Sequence, residues 1–184
     1  MRLVLSTRVA LATSLVLCVP GSAHAAAACQ GADVLPGQAS EAVVRSATLC
    51  LMNSERGAHG VAGLRAHPAL ASAAGRYARE MVSERFFAHT SPRGSTVLSR
   101  IRDTTYLRGA PGWSVGENIA SGTGTMATPS AIVEAWMESP GHRANLLSPC
   151  FRDVGIGIAA STYVTDFGRR SARACRDGAA RTAH

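Results

Sequence analysis

Asp153–Phe167 reads DVGIGIAASTYVTDF, and its patterning decides the fold class. Val154, Ile156 and Ile158 recur at every second position of Asp153–Ala159, as in a half-buried strand. Tyr163–Phe167 reads as a second strand, and Ala160–Thr162 is short enough to join the two as a hairpin. Upstream, apolar residues recur mainly at helical spacing. Helices gathered before a small antiparallel sheet predict an α+β domain rather than alternating βαβ units.

Working outward, the helices declare themselves by spacing and by their ends. Ser40 is placed to cap a helix carrying Val43, Val44, Ala47, Leu51 and Met52, with Gly57 where a C-terminal cap is wanted. His67-Pro68 opens a second, with proline at its first position. That helix runs through Leu70, Ala73, Ala74, Tyr77, Ala78 and Met81 toward Phe86 and Phe87, and its alanines allow close packing. Ser95 is expected to cap a short helix holding Val97, Leu98 and Ile101, and Gly109–Gly116 reads as a loop. Thr128-Pro129 starts a helix over Ser130–Ser139, which Pro140-Gly141 should stop. Residues 26–40, with Gly31, Pro36 and Gly37, read as a linker ahead of a domain body at 41–168.

The N-terminus has the form of an export signal. Arg2 and Arg8 precede an almost wholly apolar run, Val9–Val19, and Ala23-His24-Ala25 supplies small residues at the −3 and −1 positions, so cleavage is expected after Ala25. The run is about half the length of a bilayer span, which argues against a membrane anchor, and bulky Leu17 argues against lipidation at Cys18. The remainder suffices for one domain. The formal charge of +7 is unevenly spread: residues 169–184 hold five arginines against one aspartate and read as a disordered basic tail. The body is close to neutral, so it lacks the basic face of a nucleic-acid binder. All 19 basic residues are arginine, which reads as compositional bias. Cys29, Cys50, Cys150 and Cys175 remain after cleavage, an even number that predicts disulfides in an exported chain. Three pairings are possible; the local ones, Cys29–Cys50 and Cys150–Cys175, are favoured.

Three side chains stand out chemically. His89 follows Phe86-Phe87-Ala88, where an apolar helix yields to a polar loop. Glu117 lies between Gly116 and an apolar run, where a carboxylate is at least partly buried and needs a partner. His142 follows the Pro140-Gly141 break. Each also has a plain structural reading, a histidine on a carbonyl or a glutamate on an arginine. His59 and His67 read as solvated, as do Glu134 and Glu138, one turn apart.

Four segments in order, FFAHTSPRGSTVLSRI (86–101), SVGENIASG (114–122), IVEAWMESPGHRANLL (132–147) and FRDVGIGIA (151–159), closely resemble the bacterial secreted branch of the CAP superfamily. That superfamily groups cysteine-rich secretory proteins, venom antigens and plant pathogenesis-related proteins. The resemblance covers roughly Ala42–Phe167. It implies an α-β-α sandwich with a small antiparallel sheet between helices, and a cleft of two histidines and acidic residues that takes a divalent cation in several relatives. Carried over by motif, the cleft residues are His89, Glu117 and His142. The fourth position departs: where the animal branch has a glutamate three residues after the helix tryptophan, this chain has Ser139.

Two imidazoles and a carboxylate would suit zinc, with positions left for water. No G-x-S-x-G elbow and no HExxH helix is present, so no nucleophile is evident. The leading expectation is a secreted, monomeric, non-enzymatic binding module whose cleft takes a divalent cation, its ligand a lipid or an envelope component. A cation-dependent hydrolase acting on peptide or envelope polymer is the rival, and a lipid-binding module the third reading.

Overall fold

The computed structural model describes residues 29–171 together with the backbone of Arg181–Thr182. The expected export segment lies outside the described residues. Helix α1 (Glu41–Ala58) begins as read, with Ser40 Oγ accepting from the Val43 N–H at 3.4 Å. A two-residue strand β1 (Arg65–Ala66) leads into α2 (Pro68–Glu84), capped by His67, whose Nδ1 accepts from the Ala69 N–H. The cap of α3 (Val97–Arg102) is Thr96 rather than Ser95. Thr96 and Ser99 form a reciprocal capping box, each side chain accepting from the other's N–H.

Strand β2 (Trp113–Ser121) begins inside the stretch expected to be a loop. Its nine residues pair in unbroken antiparallel register with β4, from Trp113↔Arg170 to Ser121↔Thr162. A 3₁₀ turn (Gly124–Ala127) precedes α4 (Pro129–Glu138). Pro140 stops α4 and also starts α5 (Pro140–Leu146). Proline holds the residue before it extended, here Ser139 at φ −90° and ψ 119°, and its own fixed φ suits the first position of a new helix. Strands β3 (Asp153–Ala159) and β4 (Thr162–Arg170) form the expected hairpin.

The sheet has the order β1-β3-β4-β2-β5, β5 being Arg181–Thr182. Its β3-β4-β2 centre is antiparallel, and the short edge strands run parallel to their neighbours. Helices α2 and α3 cover one face and α1, α4 and α5 the other, giving three layers with apolar clusters on both sides of the sheet. Two boundaries move. Strand β4 runs through Arg170, two residues into the expected tail, because β2 offers it partners to Trp113. Arg181–Thr182 also pairs with Gly116–Glu117 of β2.

Strand β3 is buried on both faces, not one. Val154, Ile156 and Ile158 enter the cluster under α1 and α4, while Gly155 and Gly157 lie directly beneath α2. A Cβ at Gly155 would fall onto the backbone of Leu70 and Ala71, and one at Gly157 onto that of Ala74 and Gly75. The missing side chains let helix and strand backbones touch.

The segment read as a linker is packed onto the body. Cys29 and Ala32 are buried, the Ala32 carbonyl accepts from the Ser130 N–H at 2.9 Å, and Cys29 is disulfide-bonded to Cys50 with Cα atoms 5.7 Å apart. Cys150 is also disulfide-bonded; its expected partner Cys175 lies outside the described residues. Arg56 fastens the approach to β3. Fully buried, it donates to the carbonyls of Ala62, Leu146, Ser148 and Phe151 at 2.6–3.3 Å. Burial, with Arg152 nearby, pulls its pKa down to about 10. No described helix is long and apolar enough to cross a membrane.

Candidate functional site

The site is assembled where the end of α2 turns back toward the sheet. Arg85 adopts a left-handed conformation (φ 56°), which reverses the chain and packs Phe86 against Tyr77 with ring centroids 6.0 Å apart. The Tyr77 hydroxyl donates to the Ala88 carbonyl at 2.5 Å and so pins the residue before His89. Burial pushes the Tyr77 pKa up to about 12 against the opposing pull of Arg100, so the hydroxyl keeps its proton.

His89 is 8 % exposed and its Nδ1 lies 2.7 Å from Oε1 of Glu117, which is wholly buried. The other oxygen, Oε2, accepts from Nη2 of Arg100 at 2.5 Å. Arg100 also donates to the carbonyls of His89 (3.2 Å) and Ser95 (2.9 Å), and its guanidinium lies 3.3 Å above the Tyr77 ring. An ionised carboxylate only accepts, so His89 Nδ1 carries the hydrogen toward Glu117. The expectation that Glu117 is buried and needs a partner holds, and so does its plain structural reading, a glutamate on an arginine; Arg100 was not singled out as that arginine. The signal was there: Val97, Arg100 and Ile101 share one helical stripe, a cation set among core residues.

A second carboxyl reaches the same place from β4. Asp166 is the cross-strand partner of Glu117 and is completely buried. Neither of its oxygens receives a hydrogen bond from another described group. Burial first, and the charge of Glu117 second, hold its pKa well above the usual carboxylate range, against the pull of Arg100 and Arg76. Burial beside the Glu117 charge thus favours the neutral, protonated form of Asp166. It stands on the α2-facing side of β4 beside Val164, an acidic residue at an apolar position of the alternation.

His142 lies on α5, which is tied to β2 one residue beyond Glu117. Asn118 Nδ2 donates to the His142 carbonyl at 3.0 Å, and Asn145 Nδ2 donates to Asn118 Oδ1 at 2.9 Å and to the Glu117 carbonyl at 3.2 Å. Ser139, half-buried between α4 and α5, makes no capping hydrogen bond with its side chain. Glu134 and Glu138 are exposed. His59 accepts from Arg143 at 3.0 Å; His67, read as solvated, instead caps α2 and packs edge-on against Tyr106 at 4.7 Å.

Glu117 is not free to hold a divalent cation directly in this arrangement. Among the described residues no three His, Cys, Asp or Glu side chains are grouped to hold a metal ion. Both Glu117 oxygens already serve His89 and Arg100, so ligation by Glu117 would have to break a buried ion pair.

The CAP family model, described as the cysteine-rich secretory protein family, matches residues 49–167. This chain belongs to the CAP family. Among curated proteins, the uncharacterized protein YkwD of Bacillus subtilis is 33 % identical over 111 residues, 60 % of this chain and 40 % of that protein. The uncharacterized membrane protein YlbC of the same organism is 27 % identical over 122 residues, 66 % of this chain and 33 % of that protein. The chain thus spans well under half the length of these curated relatives. The CAP fold recurs in an extracellular Bacillus anthracis protein containing an SCP domain, with a TM-score of 0.60, 25 % identity and coverage of 71 % of this chain and 44 % of that one. An outer surface protein of Borrelia burgdorferi has a TM-score of 0.55 at 24 % identity, covering 65 % of this CAP chain and 87 % of its own.

Proposed function

We propose that this chain is an exported CAP-domain module that acts by binding rather than by catalysis. The observation that carries the reading is the saturation of Glu117: buried, with one oxygen on His89 and the other on Arg100. A hydrolase needs a carboxylate or imidazole poised to move a proton or to hold a water-activating metal. This carboxylate is neutralised by a guanidinium, and its role is to orient His89 and join β2 to α2 and α3. Export is supported by the N-terminal pattern Arg2 to Ala25, by the Cys29–Cys50 bond, and by the extracellular and outer-surface character of the structural relatives.

The test pairs turnover with metal binding. The full chain, incubated with peptide and peptidoglycan, is expected to release no product whether zinc or chelator is present. Calorimetry with zinc is expected to give no one-to-one binding that depends on His89 and His142. Chelator-sensitive turnover lost in Glu117→Gln would overturn the proposal and establish the metal-dependent hydrolase instead.

A further inference from the structure

The described residues contain a pocket of about 640 Å³ at the β1 end of the sheet, lined by Arg65, Ala66, His67, Pro111, Asp153 and Arg170. No residue of the His89–Glu117 network lines it. We propose that this pocket is a binding site for an oxyanion, a phosphate or carboxylate group carried by a larger ligand, gripped by Arg65 and Arg170. The proposal goes beyond the function argued above and stands or falls apart from it.

Strand pairing puts the two arginines on either side of one carboxylate. Arg65 is in parallel register with Asp153 across β1 and β3, and Asp153 is in register with Gly168 of β4, two residues before Arg170. Gly168 makes room for the Tyr106 ring, which a Cβ there would strike, and the Tyr106 hydroxyl donates to Asp153 Oδ2 at 2.9 Å. Burial and the Asp153 charge raise the Tyr106 pKa, which keeps that proton in place, while Arg170 and Arg65 are close enough to pull the other way. Asp153 Oδ1 accepts from Arg65 at 3.1 Å. The carboxylate is thus satisfied from within the protein.

The arginines are not. A guanidinium carries five N–H donors in a planar fork. Arg65 gives one to Asp153, and Arg170 gives one to the Arg108 carbonyl at 3.1 Å, which fixes its direction. The Arg65 side chain is 78 % exposed, so its ion pair contributes little and is readily shared with a ligand. Two guanidiniums against one carboxylate leave a net positive pocket whose remaining donors match the paired oxygens of a phosphate or carboxylate. The volume lies within the range of small-molecule sites, enough for a substituted oxyanion rather than a bare ion.

The experiment is an arginine side-chain NMR titration of the ¹⁵N-labelled full chain with inorganic phosphate and with acetate. Sodium chloride holds ionic strength constant. Saturable shifts at the Arg65 and Arg170 Nε–H signals are expected, with exposed Arg45, paired to Glu41, as the internal control. The anion that saturates first identifies phosphate or carboxylate as the recognised group. The Arg65→Ala, Arg170→Ala double variant should bind at least about tenfold more weakly, having lost both forks. Should the double variant not fold, Arg65→Ala alone carries the test, its side chain being mostly in solvent. Shifts that grow linearly and equally at Arg45, or unchanged binding in the variants, would overturn the proposal.

Discussion

Glu117 and Asp166 face each other across the β2–β4 ladder, and only Glu117 has an arginine hydrogen-bonded to it. Asp166 in the folded protein retains its proton at a pH where the unfolded chain, with an ordinary value near 3.8, has lost it. The native state then binds more protons than the unfolded one, so this residue's contribution to stability falls as pH rises above about 4. Asp166→Asn keeps the size and polarity of the side chain and removes the titration. The variant should gain stability relative to the parent steadily from pH 4 to 8, measured by urea unfolding at each pH. Parallel curves would mean that Asp166 is ionised in the fold. Glu117 was legible in the sequence because a carboxylate beside an apolar run must find a partner. Asp166 was not singled out, since only the register of β2 against β4 pairs it with Glu117.

At the scale of elements, the contact between α2 and β3 is the feature most sensitive to a single atom. The chain places Gly155 and Gly157 under the Leu70–Gly75 stretch of α2, where helix backbone meets strand backbone. Gly157→Ala adds one methyl group that neither backbone can yield to cheaply. Overpacking of a core costs about 1–3 kcal/mol even against movable side chains, so a loss at or above the top of that range is expected. In a domain of this size it corresponds to a fall in melting temperature of roughly 6–12 °C. A change within a degree or two, read by circular dichroism, would show that α2 can shift outward freely. The alternation in DVGIGIA was legible as a strand, yet it suggested one solvated face. Periodicity cannot distinguish a glycine face open to water from one pressed against a helix.

For the molecule as a whole, the stretch from Cys29 to Asp33 ahead of the first helix belongs to the fold. Cys29–Cys50 staples it to α1, and Ala32 and Asp33 hold Ser130 at the start of α4. Closing a loop with a sequence separation of 21 is worth on the order of 3 kcal/mol through the entropy of the unfolded chain. A Cys29→Ser, Cys50→Ser variant should therefore unfold at lower denaturant, with its midpoint shifted by about that energy and its slope largely kept. The His89–Glu117 contact should survive, since it lies in the opposite layer; loss of the His89 ring signal's downfield Nδ1–H would contradict this.

The sequence by itself determined the helices that Ser40 and Pro68 begin, the β3–β4 hairpin and, through four ordered motifs, the family; among three possible pairings it favoured Cys29–Cys50, which the structure contains. These rest on local signals: caps, periods of 2 and 3.6, turn residues, and spacing along the chain. The tertiary structure decided the rest. It showed β2 extending back to Trp113, β4 running on to Arg170, Pro140 opening a helix, and Arg100 and Asp166 completing the surroundings of Glu117. Each of those outcomes depends on what a distant segment brings alongside. A strand edge extends only where a partner offers hydrogen bonds, and a carboxyl keeps its proton only where another segment has removed its water and set a charge beside it.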